Sequence, residues 1–152
     1  MKSIILLPYA ARCCKKNIGI DSRPPCPVVY TMSGSYIGAL FHGDCLSCKT
    51  KYYPSYNILN NGKRVYVDIQ EESNLYFQVT SSSVFSTSQL RDMNNNICVI
   101  GATLQSRATV YNLNHREVNK KRLSDLKEFN PRGRNENDFL LNEERVNDAW
   151  FM

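Results

Sequence analysis

The feature that most constrains how this chain can fold is a pair of cysteines, Cys45 and Cys48, which are separated by two residues. Two thiols at that spacing around a tight turn can bind one tetrahedral Zn²⁺, each sulfur about 2.3 Å from the metal. The other four cysteines are at positions 13, 14, 26 and 98. The sequence therefore predicts a small metal-stapled module whose second pair of ligands comes from elsewhere in the chain.

The second pair of ligands is sought among the cysteines that precede the motif. The predicted structural zinc site consists of Cys14, Cys26, Cys45 and Cys48. Two alternates stay open: Cys13 could replace Cys14, and His42 could replace Cys26. Successive side chains diverge in an extended chain, so Cys13 and Cys14 are not expected to bind one ion together. The sixth cysteine, Cys98, is expected to be a core residue near a helix end.

Three other readings of the cysteines remain open. A redox Cys-x-x-Cys normally lies between a strand and a helix, and here the flanking residues indicate strands. A disulfide framework belongs to secreted proteins. The apolar run after Lys2 is interrupted by Pro8, and the sixteen asparagines include no Asn-x-Ser/Thr sequon, so we favour an intracellular protein. The third reading is that the thiols are ordinary buried residues.

The fold class expected from the pattern is α+β, with a small β-rich zinc-knuckle or ribbon-like module followed by a helical region. Residues 1–84 are assigned to the module and residues 85–152 to the helices. Strands are predicted at 28–32, 36–41, 51–57, 64–70 and 75–80 from their β-branched and aromatic content. Capping signals at Ser86 and Thr103 begin two helices, and further helices are predicted over 117–129 and from about residue 138.

Two more expectations concern the end of the chain and its apolar runs. The last predicted helix ends on Trp150-Phe151-Met152 without a cap, and we expect either a truncated chain or a partner that covers this helix. The longest unbroken apolar stretch is residues 4–7, far shorter than the roughly 20 residues of a transmembrane helix. No membrane partner is expected.

Positive charge is concentrated where the cysteines are. The chain has a net charge of +5, and residues 1–60 alone hold seven Lys/Arg against two Asp/Glu. Basic residues beside a metal knuckle suit phosphate contacts, and interleaved aromatic rings can stack on bases. The candidate nucleic-acid contacts are Lys15, Lys16, Lys49, Lys51, Tyr52 and Tyr53. The simpler alternatives are a solvated basic surface and tyrosines that pack the β-module.

The run of residues 45–56, Cys-Leu-Ser-Cys-Lys-Thr-Lys-Tyr-Tyr-Pro-Ser-Tyr, together with Val29-Tyr30-Thr31 and Gly38, resembles the cysteine-cluster domains associated with KDZ transposases. It is most similar to the fifth of the CxC types. The resemblance extends into the helical part through Phe85 and Leu90, Ala108 with Tyr111-Asn112, and Arg145 with Ala149-Trp150-Phe151. It departs from the family pattern at the first knuckle, where position 11 is Ala and Lys15 stands in place of Gly.

The resemblance implies a zinc-chelating accessory module in a transposon-derived protein, with nuclear localisation. DNA, a downstream transposase-like region or another protein are the partners it implies. The chain is then not an enzyme itself, and any transposase chemistry would lie outside it. The alternatives are a structural or protein-interaction module with no nucleic-acid role, and a thiol redox protein.

Overall fold

The structure is a computed structural model that describes residues 4–21, 26–66, 75–80, 82–126 and 133–150. It is a mixed α+β fold, as predicted from the sequence. The strands it describes are β1 (Ile4–Leu6), β2 (Arg12–Cys13), β3 (Lys16–Asn17), β4 (Gly19–Ile20), β5 (Val28–Thr31), β6 (Gly34–Leu40), β7 (Gly43–Asp44), β8 (Lys51–Tyr52), β9 (Tyr56–Ile58), β10 (Arg64–Tyr66), β11 (Tyr76–Gln78) and β12 (Ser83–Ser86). The helices are α1 (Thr87–Ile100), α2 (Leu104–Asp125), α3 (Glu136–Phe139) and α4 (Glu143–Trp150).

The first sheet has the strand order β1-β6-β5-β12-β11. Its centre is the β5–β6 hairpin, turned at Gly34, and two parallel pairs flank it: β1 beside β6, and β12 beside β5. Strands β5 and β12 are rich in Val and Phe and buried along almost their whole length, as expected of central strands covered on both faces. The β5 and β6 strands confirm the predictions at 28–32 and 36–41.

The second sheet carries the Cys-x-x-Cys motif and has the order β10-β9-β8-β7-β4. All four of its pairings are antiparallel. Its strands have only two or three residues each, and a separate two-residue hairpin, β2–β3, precedes β4. The predicted strand 51–57 is two strands, β8 and β9, because a turn through Pro54 reverses the chain. In the predicted strand 64–70, residues 67–70 lie outside the described part.

Side-chain caps begin the first two helices where the sequence predicted them. Ser86 accepts a hydrogen bond from the Gln89 amide at 3.2 Å, and Thr103 accepts one from the Ser106 amide at 3.0 Å. Gly101 ends α1 in the left-handed conformation that glycine adopts without steric cost. Capping by short hydroxyl side chains therefore fixes where each helix begins.

The predicted helical segments near residues 104–111 and 117–129 are in fact one helix, α2, as far as Asp125. No Gly or Pro interrupts residues 112–116, so nothing there ends the helix. The single helix predicted from residue 138 is instead two short helices, α3 and α4. Leu140 leaves the helical conformation and separates them.

One core joins the first sheet to the helices. Tyr30 and Phe85 are fully buried in the sheet and pack in one cluster with Met93 of α1, Tyr111 of α2 and Val146 of α4. The predicted boundary at residue 84 falls inside β12, and this core draws residues from both sides of it. The division into two independently folding parts, residues 1–84 and 85–152, stays a prediction. Within the described ranges, no helix is long and apolar enough to cross a membrane.

Candidate metal centre

Four cysteine sulfurs lie together at the tip of the second sheet. The Sγ atoms of Cys13, Cys14, Cys45 and Cys48 are all within 4.8 Å of one another. Cys13 Sγ is 3.5 Å from Cys48 Sγ and 3.8 Å from Cys14 Sγ. These separations are far longer than the roughly 2.05 Å of a disulfide. None of the six cysteines, all of which are in the described part of the chain, forms a disulfide.

The first pair of sulfurs is presented by the β2–β3 hairpin. Cys13 pairs with Lys16, which leaves Cys14 and Lys15 as a two-residue turn. Their φ angles are 50° and 62°, as a type I′ turn requires at both central positions. The chain reverses at Cys14 and Lys15, and Cys14 Sγ lies 3.8 Å from Cys13 Sγ. The expectation that adjacent cysteines would diverge was wrong for this reason, since it assumed an extended chain.

The second pair is presented by the turn that connects β7 to β8. The Cys45 amide donates to Thr50 O at 2.9 Å, and the Lys49 amide donates to Cys45 O at 2.9 Å. Lys49 adopts a left-handed φ of 61°, which closes the turn. Gly43, in strand β7 before this turn, lies close to Ile18. A Cβ atom at position 43 would be 2.2 Å from Ile18 Cγ2. The Cys-x-x-Cys motif is thus a compact knuckle on a sheet, as the flanking strands predicted.

Two hydroxyl groups contact the sulfurs from the strand that follows the knuckle. Thr50 Oγ1 lies 3.2 Å from Cys48 Sγ, and the Tyr52 hydroxyl donates to Cys13 Sγ at 3.0 Å. Thr50 and Tyr52 are two residues apart, so their side chains leave the same side of the strand. They are hydrogen-bond partners for Cys48 of the knuckle and for Cys13 of the β2–β3 hairpin.

The neighbours of the sulfurs shift their pKa values in opposite directions. Hydrogen bonds with the hydroxyl and the backbone of Thr50 lower the pKa of Cys48 to about 6. The Cys48 amide, which donates to Cys45 Sγ, lowers the pKa of Cys45. Hydrogen bonds to Cys48 and Cys13 raise the pKa of Cys14 to about 12. Tyr52 lowers the pKa of Cys13, but Cys48 and burial raise it above its ordinary value overall. Near neutral pH, Cys48 of the knuckle is therefore a thiolate, and Cys14 of the hairpin is a thiol.

The geometry of the group fits a tetrahedral thiophilic ion. Four sulfurs at about 2.3 Å from a central Zn²⁺ are about 3.8 Å apart from each other, and two of the separations here are 3.5 and 3.8 Å. Amide and hydroxyl donors to the sulfurs are the outer-shell partners that orient metal-bound thiolates. The group can thus hold a metal, and thiol ligands suit thiophilic ions rather than the oxygen-preferring cations.

The structure brings together three of the four predicted ligands, Cys14, Cys45 and Cys48, and adds the alternate Cys13. Cys26 is not in the group, because it lies at the entrance of β5 in the first sheet, where its carbonyl accepts a hydrogen bond from Arg134 at 2.7 Å. The other alternate, His42, has its Nε2 3.7 Å from Asp21 Oδ2 and stacks on Tyr53. Which residues bind a metal stays a prediction.

Cys98 and the candidate lysines are exposed, whereas the candidate tyrosines pack against other rings. Cys98 is exposed near the end of α1, so the expectation of a core residue was wrong. The four candidate lysines, Lys15, Lys16, Lys49 and Lys51, are all exposed on the two turns and the strands beside them. The tyrosine rings are engaged: Tyr52 packs edge-on against Tyr9, and Tyr53 stacks between His42 and Tyr56.

The sulfur group contains Cys13, which the sequence predicted only as an alternate, and Cys13 has the Tyr52 hydroxyl as a partner. The signal that could have identified Cys13 is the polar run Cys-Cys-Lys-Lys-Asn, which is short enough to be a tight hairpin with both cysteines at its tip. No sequence signal identifies the Tyr52 contact, because it depends on how the hairpin is placed against β8.

Comparisons with known proteins give one match. A family model described as "CxC5 like cysteine cluster associated with KDZ transposases" matches residues 3–115, which are 113 of the 152 residues. The matched segment includes all four sulfurs of the group and ends within α2. Comparison with curated proteins and with solved structures gives no match.

Proposed function

The chain belongs to the family of CxC5-like cysteine clusters associated with KDZ transposases, and we propose that it is a non-catalytic, zinc-binding accessory module of a transposon-derived protein. The observation that carries the proposal is the convergence of four cysteine sulfurs within 4.8 Å. A site with four protein ligands has no open coordination position, which is typical of structural rather than catalytic zinc.

The metal would hold together a part of the fold that has little core of its own. The β2–β3 hairpin has two-residue strands with exposed or half-exposed side chains. Around the second sheet, the buried apolar side chains include only a few, such as Ile18 and Tyr56, among the described residues. Small β-modules of this kind usually need a staple, and bound zinc contributes its binding free energy directly to folding. In this proposal, zinc fastens the hairpin to the knuckle.

A second function, contact with DNA, is favoured by where the basic residues lie. The sulfur group joins two turns, and each turn carries exposed cations: Arg12, Lys15 and Lys16 on the hairpin, Lys49 and Lys51 on the knuckle. The nearest acid on these strands is Asp44, which pairs in register with Lys51. Clustered cations of this kind supply the salt-dependent part of nucleic-acid affinity. The remaining alternative is a structural or protein-interaction module with the same metal and no affinity for DNA.

Single substitutions of cysteine test the metal proposal. Zinc affinity is measured by competition with a chromophoric chelator for Cys13→Ser, Cys14→Ser, Cys45→Ser and Cys48→Ser. The matched controls are Cys26→Ser and Cys98→Ser, which change the same functional group outside the sulfur group. We expect zinc affinity to fall strongly in the first four variants and to stay unchanged in the controls. Loss of zinc in Cys26→Ser, with retention in Cys13→Ser, would contradict the proposed ligand set.

DNA binding is tested separately by fluorescence anisotropy with a labelled duplex at several salt concentrations. We expect the affinity to fall as salt rises, because phosphate contacts release counterions from the duplex. A zinc-loaded chain with no affinity for the duplex at low salt would support the structural alternative.

A further inference from the structure

Two lysines beside the sulfur group have a backbone conformation that lysine rarely adopts. Lys15 has a φ of 62° and Lys49 a φ of 61°. In the described part of the chain, Cys14 is the only other non-glycine residue with a positive φ. Lys15 directly follows Cys14, and Lys49 directly follows Cys48. The two turns therefore share one arrangement, a cysteine of the group followed by a left-handed lysine.

Glycine would occupy both positions more easily. A left-handed residue with a Cβ is strained by its own carbonyl oxygen, and glycine has no such contact. Strained backbone of this kind persists only where the surrounding structure holds it, and it clusters at functional sites. Both lysine side chains are exposed, so packing does not explain why lysine stands there. What the two side chains have in common is a positive charge at the tip of a turn.

The sulfur group brings together the two turns that carry these lysines. Cys14 Sγ and Cys48 Sγ are within 4.8 Å of each other, and each lysine is the next residue along the chain. Arg12 adds a third cation to the hairpin and donates to Lys15 O at 3.2 Å, which ties the turn in place. The charges are thus presented on two tight turns that are held together at their bases.

We propose that Lys15 and Lys49 form a two-lysine clamp that binds backbone phosphates of duplex DNA. The proposal rests on the proposed function, because the zinc-bound sulfur group keeps the two turns side by side. Duplex DNA is favoured over a single strand because single-strand binding relies on aromatic faces open for base stacking. Here the Tyr53 ring is already stacked on His42, with 5.3 Å between ring centroids, and on Tyr56, with 4.8 Å between ring centroids. The clamp contacts phosphates and does not read base sequence.

A competing role for the lysines is to neutralise the metal group. Zinc with four thiolates carries two net negative charges, and nearby cations would stabilise it. The two roles differ in what glycine substitution does. If the lysines only compensate charge, replacing them weakens zinc binding. If they form a clamp, replacing them relieves backbone strain, leaves zinc bound and weakens DNA binding.

The test compares the zinc-loaded full chain with the double variant Lys15→Gly, Lys49→Gly. Zinc affinity, thermal unfolding and affinity for a 20-base-pair duplex are measured for both. We expect zinc affinity to be retained and the unfolding temperature to stay the same or rise. The slope of log affinity against log salt should decrease in magnitude by about 1.8, since each phosphate contact contributes about 0.9.

Two further variants keep the result interpretable. Lys15→Asn with Lys49→Asn removes both charges with a side chain that tolerates the left-handed conformation, so it separates charge from chain flexibility. Lys63→Gln removes an exposed lysine on the β9–β10 turn and should leave the salt slope unchanged. Three results would each overturn the clamp. They are an unchanged salt slope in both double variants, loss of zinc in the double variants alone, and tighter binding to a single strand of the same length than to the duplex. Failure of the unsubstituted chain to bind zinc would instead overturn the proposed function.

Discussion

The side-chain amide of Asn112 on α2 makes two hydrogen bonds with the backbone of Leu141. The Leu141 amide donates to Asn112 Oδ1 at 2.8 Å, and Asn112 Nδ2 donates to Leu141 O at 2.8 Å. Leu141 is 2% exposed, so these backbone groups have little access to water. Asn112 lies inside the segment that matches the family model, and Leu141 lies outside it. The pair therefore fastens the connection between α3 and α4 to the matched part of the chain.

Replacing Asn112 with alanine should destabilise the fold without affecting the metal group. Asn112→Ala leaves a buried amide and a buried carbonyl of Leu141 without their partner, at a cost of roughly 1–3 kcal/mol. Denaturant unfolding measures this change in free energy. Asn114→Ala, an exposed asparagine on the same helix, is the control and should change stability by less than about 0.5 kcal/mol. If Asn114→Ala lowered the free energy of unfolding as much as Asn112→Ala, the role of the Asn112 side chain would be contradicted.

The short helices should contribute to the main core through Phe139. This side chain is 1% exposed in the cluster that also holds Tyr30 and Phe85. Phe139→Ala should lower the free energy of unfolding by about 3–5 kcal/mol, because it removes a large buried ring and leaves a cavity. Leu140→Ala, at a neighbouring residue that is 39% exposed, should cost much less. A small effect of Phe139→Ala in thermal or denaturant unfolding would show that the segment does not stabilise the fold.

The Tyr52 hydroxyl should strengthen metal binding at Cys13. Tyr52→Phe keeps the ring against Tyr9 and removes only the hydrogen bond to Cys13 Sγ. Loss of an outer-shell partner typically reduces metal affinity by about 10–100-fold, and we expect a reduction in that range. Chelator competition measures the affinity. Tyr53→Phe, one residue along the chain and outside the sulfur group, serves as the control; a loss of the same size there would mean that the hydroxyl of Tyr52 has no special role.

Zinc binding should release protons from the hairpin cysteines. Metal-bound cysteine is a thiolate, so a thiol must lose its proton on binding. Near pH 7.5, the pKa of about 6 leaves Cys48 ionised, while the pKa of about 12 leaves Cys14 protonated. Cys13, whose pKa is also raised, adds a second thiol. We therefore expect these two cysteines to release about two protons per zinc, and the affinity to rise with pH.

Calorimetry in buffers with different ionisation enthalpies measures that proton release. As the pH falls through about 6, Cys48 also becomes protonated, so the affinity should decrease more steeply with pH. Thr50→Val removes the hydroxyl that lowers the pKa of Cys48 and should move this steeper region to higher pH. Proton release near zero at pH 7.5 would contradict the assignment of Cys13 and Cys14 as thiols.

The sequence predicted the elements whose signals are local. Ser86 and Thr103 begin helices because a hydroxyl cap acts within three residues, and the knuckle follows from two cysteines and their flanking strands. The parallel pairings of β1 with β6 and of β12 with β5 could not be predicted in this way. They join residues such as Ile4 and Gly38, or Ser83 and Val28, which are far apart in the chain.

The candidate site was predicted in part for the same reason. Cys45 and Cys48 lie three positions apart and were identified from spacing alone. The choice between Cys13 and Cys26 depended on a turn: two residues with positive φ reverse the chain at Cys14 and Lys15, and neither residue type favours that conformation. Sequence preference therefore argued against the hairpin that brings Cys13 to the other sulfurs.

Metal content of the unsubstituted chain tests the central claim most directly. The chain is purified without chelator, and its mass is measured under native and denaturing conditions, together with elemental zinc and thiol titration before and after chelation. We expect one zinc per chain, lost on denaturation, and four thiols that become reactive only when zinc is removed. A chain that is folded without any metal, or that holds its cysteines as disulfides, would contradict the account.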